Sequence, residues 1–524
     1  MRVLVTDPIA ADGLDILREQ HTVVVQTGLT EAELVRQIGA YDALIVRSGT
    51  QVTRPVIQAG FHLQVIGRAG VGVDNIDLEA ATERGVLVVN APDGNSIAAA
   101  EHTIAVMLAL ARHIPQADSS LREHKWERKR FMGVEITGKT LGVIGMGRIG
   151  REVARRGRGL GMRVLAYDPY VSHDHAERLG VELRDLDHIL ARADFLTVHV
   201  PLTPTTRGLI GARELAMLKP SARVINCARG GIIDEAALND ALAQGLLAGA
   251  AFDVFSHEPP LDSPLLDNAK VVVTPHLGAS THEAQVAVAV DVARQVLDVL
   301  NGKPPAHPVN APFVTSETQA ELLPFGPLAE RLGLLARQLV DRHLGRVRIT
   351  YAGRLAEFDT DMLRALLIRG LLQDVSERRI TLVNASLIAR ERGLHLVEEK
   401  NSDAGHFRNL ITLCYSDNGD ERVLSGTVMH GEPYITHIDA YQLDVPARGF
   451  KLFIYHRDQP DRIGQVGLIT GRADVNISTM AMDRLAPRGE ALLVLSVDDP
   501  APPAVLAEIE ALDGVSAARL IDLG

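Results

Sequence analysis

Cysteine is almost absent from these 524 residues: there are two, Cys227 and Cys414. Two thiols so far apart in sequence form neither a disulfide framework nor a metal cage, so the chain reads as a metal-free protein of a reducing, cytoplasmic compartment. Basic charge is in deficit, with 54 Lys and Arg against 66 Asp and Glu and a net charge of −12. Such a surface repels a phosphodiester backbone, which excludes nucleic acid as the expected partner. Long hydrophobic runs are missing too. The most apolar helical stretch, near 97–111, is interrupted by Glu101 and His102, and it falls short of the roughly 18 apolar residues that a membrane span requires. The opening MRVLVTD is strand-like and lacks the layout of a signal peptide. Aromatics amount to only 4%, yet 46% of the residues are apolar and 23% charged, ordinary values for a packed protein that exclude disorder and fibrous repeats. At roughly 100–200 residues per domain, the length predicts three or four domains.

Short apolar runs at 2–7, 22–27, 43–48, 64–68 and 86–90 alternate with segments of helical pattern. Buried strands alternating with helices predict a parallel α/β sheet. After an apolar helix at 96–111, a second set of six strand-like runs follows, at 140–145, 163–168, 194–200, 223–229, 250–255 and 270–276. Six such units match the two mononucleotide-binding halves of a doubly wound sheet. The run NGKPPAHPVNAP after a helix at 283–300 is linker chemistry and places a boundary near residue 313. Residues 316–445 mix helical and β-like stretches as an α+β intervening domain, with no cluster of catalytic residue types. From Phe450 the order is βαββαβ, that of a small ferredoxin-like module.

Gly145-Met146-Gly147-Arg148-Ile149-Gly150 directly follows a strand and opens a helix. In that context Gly145 allows the tight turn, Gly147 admits a pyrophosphate to the backbone, and Gly150 permits close helix–strand packing, while helix N-terminal amides face the phosphates. Asp168 ends the next strand, near the spacing expected for an acid that binds the adenosine ribose diol. Its charge would repel a 2′-phosphate, so NAD is the expected cofactor. The bland alternative is a glycine-rich turn with a strand-terminal Asp.

Three segments at carboxyl ends of strands carry the groups that hydride transfer from a hydroxy acid needs: NCARGG at 226–231, DVFSHEP at 253–259 and TPHLGAS at 274–280. Taking up the hydroxyl proton suits a side chain whose ordinary range is near neutrality, as a histidine's is, and His276 is the candidate acid/base. Glu258 is placed to stabilise its protonated form and fix its tautomer. Arg229 carries a planar fork that holds a carboxylate bidentately. Each residue alone has an ordinary explanation, as a satisfied histidine, a loop cap or a structural ion pair; their convergence at strand ends favours function. Arg47 and Arg68 end strands of the first lobe and suit a second anion, unless they are solvated or paired with Asp42 and Asp74.

The motifs GMGRIG, NCARGG, DVFSHEP and TPHLGAS, in this order, closely resemble the D-isomer-specific 2-hydroxyacid dehydrogenases, over residues 1–310. That resemblance implies Arg229 as carboxylate anchor, His276 as acid/base and Glu258 as its partner. It implies a two-lobed catalytic unit, in which a Rossmann NAD-binding domain (97–287) is inserted into a flavodoxin-like substrate-binding domain (1–96 and 288–313). NAD contacts implied by position, besides the glycines Gly145, Gly147 and Gly150, are Arg148, Ile149, Asp168, Cys227, Ala228, Arg229, Asp253, His276, Leu277, Gly278 and Ala279. Cys227 would contribute backbone, not a nucleophilic thiol. The text GRAGVGVDNIDLEAATERG with NAPDGNSIAAAEHT and WERKRFMGVEITGKTLGVIG resembles the long, phosphoglycerate-oxidising branch of the family over the full length. It implies oxidation of 3-phospho-D-glycerate to 3-phosphohydroxypyruvate on the route to serine, with Arg47, Arg68, Gly70 and Val71 at the substrate. The basic run Trp126–Arg130 is either a further phosphate ligand, supplied to a neighbouring subunit, or a solvated face. Residues 450–524 resemble an ACT domain, whose effector position matches His456, Asp458 and Asn476 and implies serine feedback control in a homotetramer. Asp461 stands where that motif usually has Gly, and His456 where tyrosine is more familiar. The readings kept beside this one are a glyoxylate or hydroxypyruvate reductase on the same scaffold and an NAD-sensing corepressor-like binding protein.

Overall fold

A computed structural model describes residues 1–312, 316–340, 345–373, 378–417 and 420–524. The strands Arg2–Val5, Thr22–Val25, Ala43–Val46, Val65–Arg68 and Leu87–Asn90 form one parallel sheet. Their spatial order is 2-1-3-4-5, the flavodoxin-like arrangement. Ala43, Leu44, Ile45 and Val46 are fully enclosed, as strands covered on both faces require. The long helix His282–Leu300 returns to this sheet and sets Val288, Val292, Ala293 and Val296 against Val3, Val5 and Ile45. Thr281 caps it, its hydroxyl accepting from the Ala284 amide.

The second sheet has seven parallel strands: Thr140–Ile144, Arg163–Tyr167, Glu182–Leu183, Phe195–Val198, Arg223–Asn226, Gly249–Phe252 and Val271–Val273. Counted within this set their order is 3-2-1-4-5-6-7, a doubly wound sheet whose switch point lies between its first and fourth strands. The sequence pattern gave six. The additional strand, Glu182–Leu183, is two residues long and pairs with Leu165 and Ala166, too short to leave a periodic trace. Helix Ser96–Arg112 buries Ile104, Met107 and Leu110 against this sheet. Among the described residues no single helix is long and apolar enough to cross a membrane.

Beyond the linker, His395–Asn401, Arg346–Gly353, Asn409–Asp417, Asp420–Met429, Glu432–Ile438 and Tyr441–Pro446 lie side by side in that order. The first two are parallel and the rest antiparallel. Helices Gly326–Leu339 and Asp361–Leu371 pack with them around Leu332, Leu335, Leu363 and Leu367. The C-terminal module has strands Phe450–Arg457, Ile477–Arg484, Glu490–Val497 and Val515–Asp522 and helices Arg462–Arg472 and Pro503–Glu510, in βαββαβ order. One face of its sheet meets its own helices through Leu452, Ile454, Val466 and Leu493. The other face contributes Phe453, Leu492, Val494 and Ile521 to the core of the preceding segment, so the two segments share one apolar interior. Gln338 closes the seam, donating to the Asp522 carbonyl at 2.7 Å and accepting from the Asp522 amide at 2.9 Å.

Candidate active site

The glycine loop sits at the switch point. Gly145 has φ +95°, and a Cβ there would lie 2.8 Å from the His199 carbonyl oxygen; one on Gly150 would lie 1.9 Å from the Gly145 carbonyl oxygen. The protein's own backbone therefore demands both glycines. Gly147 differs, because a Cβ there meets nothing within 4 Å. Its smallness serves something arriving from outside, as a pyrophosphate would, at the point where helix Arg148–Gly159 starts and its free amides face outward. Asp168 accepts from the Met146 amide at 2.8 Å through Oδ2 and from the Tyr170 amide at 2.9 Å through Oδ1. A carboxylate has about four lone-pair sites, so capacity for a ribose diol is left over. Arg148 pairs with Asp93 at 2.5 Å, and Ile149 packs against the sheet core. Behind the loop, His199 is half-buried with its Nδ1 enclosed, and burial lowers its pKa to about 3. This neutral imidazole, which meets Thr197 Oγ1 at 3.0 Å, escaped the sequence reading because a His after a strand carries no spacing signal.

Arg229, Glu258 and His276 follow three adjacent strands of the same sheet, Arg223–Asn226, Gly249–Phe252 and Val271–Val273. His276 Nδ1 lies 2.7 Å from Glu258 Oε2, and Glu258 Oε1 accepts from the Phe255 amide at 3.1 Å. Burial alone would raise the Glu258 pKa, but hydrogen bonding and charge from His276, with the Phe255 amide, prevail and lower it. Glu258 is thus ionised across the neutral range and fixes the proton of His276 on Nδ1, turning Nε2 outward as the exchangeable position. His276 itself adopts φ +56°, an uncommon backbone state for a side-chain-bearing residue.

Arg229 donates through Nε to Asp74 Oδ2 at 3.2 Å and through Nη1 to the Ala228 carbonyl at 2.6 Å. Its backbone is gripped by Asn226, whose amide donates to the Arg229 carbonyl at 2.9 Å. Asp74, which the sequence offers as a partner for the first-lobe arginines, is hydrogen-bonded to Arg229 instead and directs this fork toward the first lobe. Arg68 stands opposite. Burial, then repulsion from Arg229 and Arg47, lowers its pKa to about 10 against the attraction of Asp74 and Asp7. Among the described residues its Nε is buried without a hydrogen-bond partner, and its Nη1 makes a 3.4 Å contact to the Ala69 carbonyl. Arg47 donates weakly to the Pro8 carbonyl and to Gln285. Asp42 instead receives the Arg2 amide, so among the described residues neither first-lobe guanidinium has the hydrogen-bonded carboxylate that a structural role would supply. Asn90 donates to the Val71 carbonyl at 2.6 Å and holds the loop that contains Gly70 and Val71.

Asp253 is fully buried and accepts from His102 Nε2, Thr274 Oγ1 and the Leu277 amide through Oδ1, and from the Gly278 amide through Oδ2, at 2.6–3.0 Å. Burial raises its pKa, but these donors reverse the balance and lower it. Cys227 lies nearby. Burial, with the Asp253 charge adding and a Thr103 hydrogen bond opposing, raises its thiol to about 12, which leaves it protonated and inert. His102 and Thr274 were not anticipated. The Trp126–Arg130 run is a surface turn, with Trp126 exposed and Arg130 paired to Glu127.

In the C-terminal module His456 is buried, with Nδ1 against the Arg457 carbonyl at 2.9 Å and Nε2 without a partner. Asp458 accepts from Arg484 at 2.7 Å and from the Arg488 amide. Asn476 instead donates to Asp498, at the sheet end where Ile477 pairs with Val497, whereas His456 pairs with Ala491 at the other end. A single chain therefore does not bring Asn476 to Asp458. Asp461 has φ +70°, the left-handed state that explains why a glycine suits this position and which Asp tolerates better than most residues.

The D-isomer specific 2-hydroxyacid dehydrogenase NAD-binding domain matches residues 104–278, and the D-3-phosphoglycerate dehydrogenase intervening domain matches 321–439. The D-3-phosphoglycerate dehydrogenase of Synechocystis sp. is 46% identical over 524 residues, covering 100% of this chain and 95% of that protein. That of Methanocaldococcus jannaschii is 44% identical, with 100% of both covered. Among solved structures, the TT0316 protein from Thermus thermophilus aligns with a TM-score of 0.55 and 36% identity over 59% of this chain and 100% of its own. A glyoxylate reductase from Paecilomyes thermophila gives 0.55 and 30% over 59% and 98%. The chain accordingly belongs to the D-isomer-specific 2-hydroxyacid dehydrogenases, in the branch of the full-length D-3-phosphoglycerate dehydrogenases.

Proposed function

We propose that this chain oxidises the C2 hydroxyl of 3-phospho-D-glycerate with NAD to give 3-phosphohydroxypyruvate, a reaction class its full-length relatives carry in their names and which opens a route to serine. The observation that carries the substrate assignment is that Arg68 and Arg47, at the ends of first-lobe strands, make only weak contacts to carbonyls and Gln285 near Arg229, while burial first and the other two guanidinium groups second lower the Arg68 pKa. Such an arrangement fits a substrate with two anionic ends. Arg229 takes the carboxylate and so orients C2; Arg68 and Arg47 take the phosphate, with the Gly70 and Val71 backbone beside it. His276 Nε2 removes the hydroxyl proton, and Glu258 stabilises the imidazolium that results. Bound NAD supplies the hydride acceptor. Gly145, Gly147, Gly150, Arg148 and Ile149 would hold its pyrophosphate, Asp168 its ribose, and Cys227, Ala228, Asp253 and Leu277–Ala279 the nicotinamide end. The Asp168 carboxylate disfavours a 2′-phosphate.

A cytoplasmic homotetramer with serine feedback completes the reading. Because Asn476 and Asp458 lie at opposite sheet ends, an effector touching both needs modules of two subunits. The test of the substrate is NADH formation at alkaline pH. The expected kcat/KM for 3-phosphoglycerate exceeds that for glycerate or lactate by at least about tenfold, the effect of one charge-assisted contact of about 1.4 kcal/mol. Equal turnover of glycerate refutes the phosphate assignment. Serine titrated against initial rate, with Asn476→Ala as control, tests the feedback.

A further inference from the structure

The mechanism above gives His102 and Thr274 no part. Helix Ser96–Arg112 projects His102 at the loop after strand Val271–Val273, where its Nε2 lies 3.0 Å from Asp253 Oδ1 and 3.1 Å from Thr274 Oγ1. Thr274 Oγ1 itself donates to Asp253 Oδ1 at 2.6 Å. The carboxylate can only accept, so Nε2 of His102 carries a proton and donates. The Asp253 carboxylate also accepts from the main-chain amides of Leu277 at 2.7 Å and Gly278 at 2.9 Å, and the Asp253 carbonyl accepts from the His276 amide at 2.8 Å. Residues 274–278 are thus suspended from one buried aspartate at both ends, with His276 at the centre in its left-handed conformation. A strained residue of this kind persists only where its surroundings over-determine it.

We infer that His102 is a positioning residue: by donating to Asp253 and Thr274 it fixes the 274–278 loop, and with it the register of the His276 imidazole against Glu258. The inference rests on the reading of His276 as acid/base. His102 touches neither substrate nor reacting atoms; it acts through Asp253. Removing the donor leaves a buried carboxylate short of one partner and frees the Thr274 end of the loop. His276 then spends less time hydrogen-bonded to Glu258 at 2.7 Å. The imidazolium loses part of its support, so the kinetic pKa of the base falls. A purely structural role of His102 would not move that pKa.

The test compares wild type, His102→Ala and His102→Gln in the full-length enzyme with NAD and 3-phosphoglycerate. Gln places an N–H donor near the position of Nε2. His102→Ala is expected to lower kcat at least tenfold with KM for phosphoglycerate within about threefold, and to move the acidic limb of the kcat profile to lower pH, while His102→Gln recovers most of both. In a double-mutant cycle with His276→Ala, the His102→Ala loss is expected to vanish, since a loop without its imidazole has nothing to position. Unchanged kcat and limb in His102→Ala overturn the inference, as does a His102→Gln variant that melts like wild type yet is as slow as His102→Ala. Full additivity in the cycle overturns it as well. Should His276→Ala alone retain wild-type turnover, it is the acid/base reading that fails, and the two outcomes are thereby told apart.

Discussion

Replacing Glu258 with Gln removes a charge but keeps an oxygen that can accept from His276 Nδ1. The contact is 2.7 Å long, with both side chains partly exposed, at 44% and 38%. A charge-assisted hydrogen bond contributes about 1.5–3 kcal/mol when shielded, whereas exposed ion pairs give about 0.2–1 kcal/mol. Half-exposure puts the charge-dependent part near 1–1.5 kcal/mol, which at 1.36 kcal/mol per unit is roughly one pKa unit. The sign follows from which form is supported. Glu258⁻ favours the imidazolium, so its removal lowers the kinetic pKa of His276. Oxidation needs the neutral imidazole, hence the acidic limb of kcat/KM moves down by roughly one unit. Reduction needs the imidazolium, and its alkaline limb moves down by a similar amount. The maximal oxidation rate also falls, because a weaker base accepts the hydroxyl proton less readily. Initial rates in both directions from pH 5 to 10 measure both limbs. Limbs that stay in place, or that move upward, refute the assignment of Glu258 as the partner that stabilises the charged histidine.

Arg68→Ala is expected to raise KM for 3-phosphoglycerate about 10- to 100-fold, the loss of one charge-assisted contact, with little change for unphosphorylated glycerate; an unchanged KM contradicts the phosphate role. Gly147→Ala and Gly150→Ala separate ligand space from packing. The first should melt close to wild type but bind NAD at least about tenfold more weakly, because its methyl group enters open space where a phosphate must approach. The second forces a Cβ against the Gly145 carbonyl and should destabilise the fold by about 1–3 kcal/mol, which thermal denaturation without cofactor detects. Asp194 is pushed up by burial but pulled further down by the Thr140 amide and Lys219, so its pKa is lowered in the fold. Its stabilisation is present above the unfolded value of about 3.9 and is lost as pH falls through the lower folded value. Asp194→Asn should therefore cost about 1–2 kcal/mol at pH 7 and little at pH 2, measured by denaturant titration.

The parallel strands could be read from sequence because both their faces are covered, which turns Ala43–Val46 or Gly249–Phe252 into nearly continuous apolar runs. The site glycines were legible for a related reason, since a strand, a turn and a helix follow one another at fixed spacing. Glu182–Leu183 was lost because two residues have no period. His102, Thr274 and His199 were lost because their meaning lies in who stands opposite: a polar residue inside an apolar helix acquires a role only once Asp253 is 3.0 Å away. The shared interior of the last two segments did leave a trace. Glu490–Val497 is buried at every position after the first, and its five-residue apolar run from Ala491 to Leu495 signals a second covered face, whereas the sequence pattern reads it as one strand of an independent module.

In the proposed reaction His276 moves the proton while other groups supply most of the hold on the cofactor. The most direct test is the rate of NADH formation from 3-phosphoglycerate by His276→Ala, measured beside NADH binding to the same protein. A fall of about 10²- to 10⁴-fold, the usual worth of a general base, with NADH affinity within about threefold of wild type, is the predicted result. Turnover within a few fold of wild type, or a parallel loss of NADH binding, contradicts it.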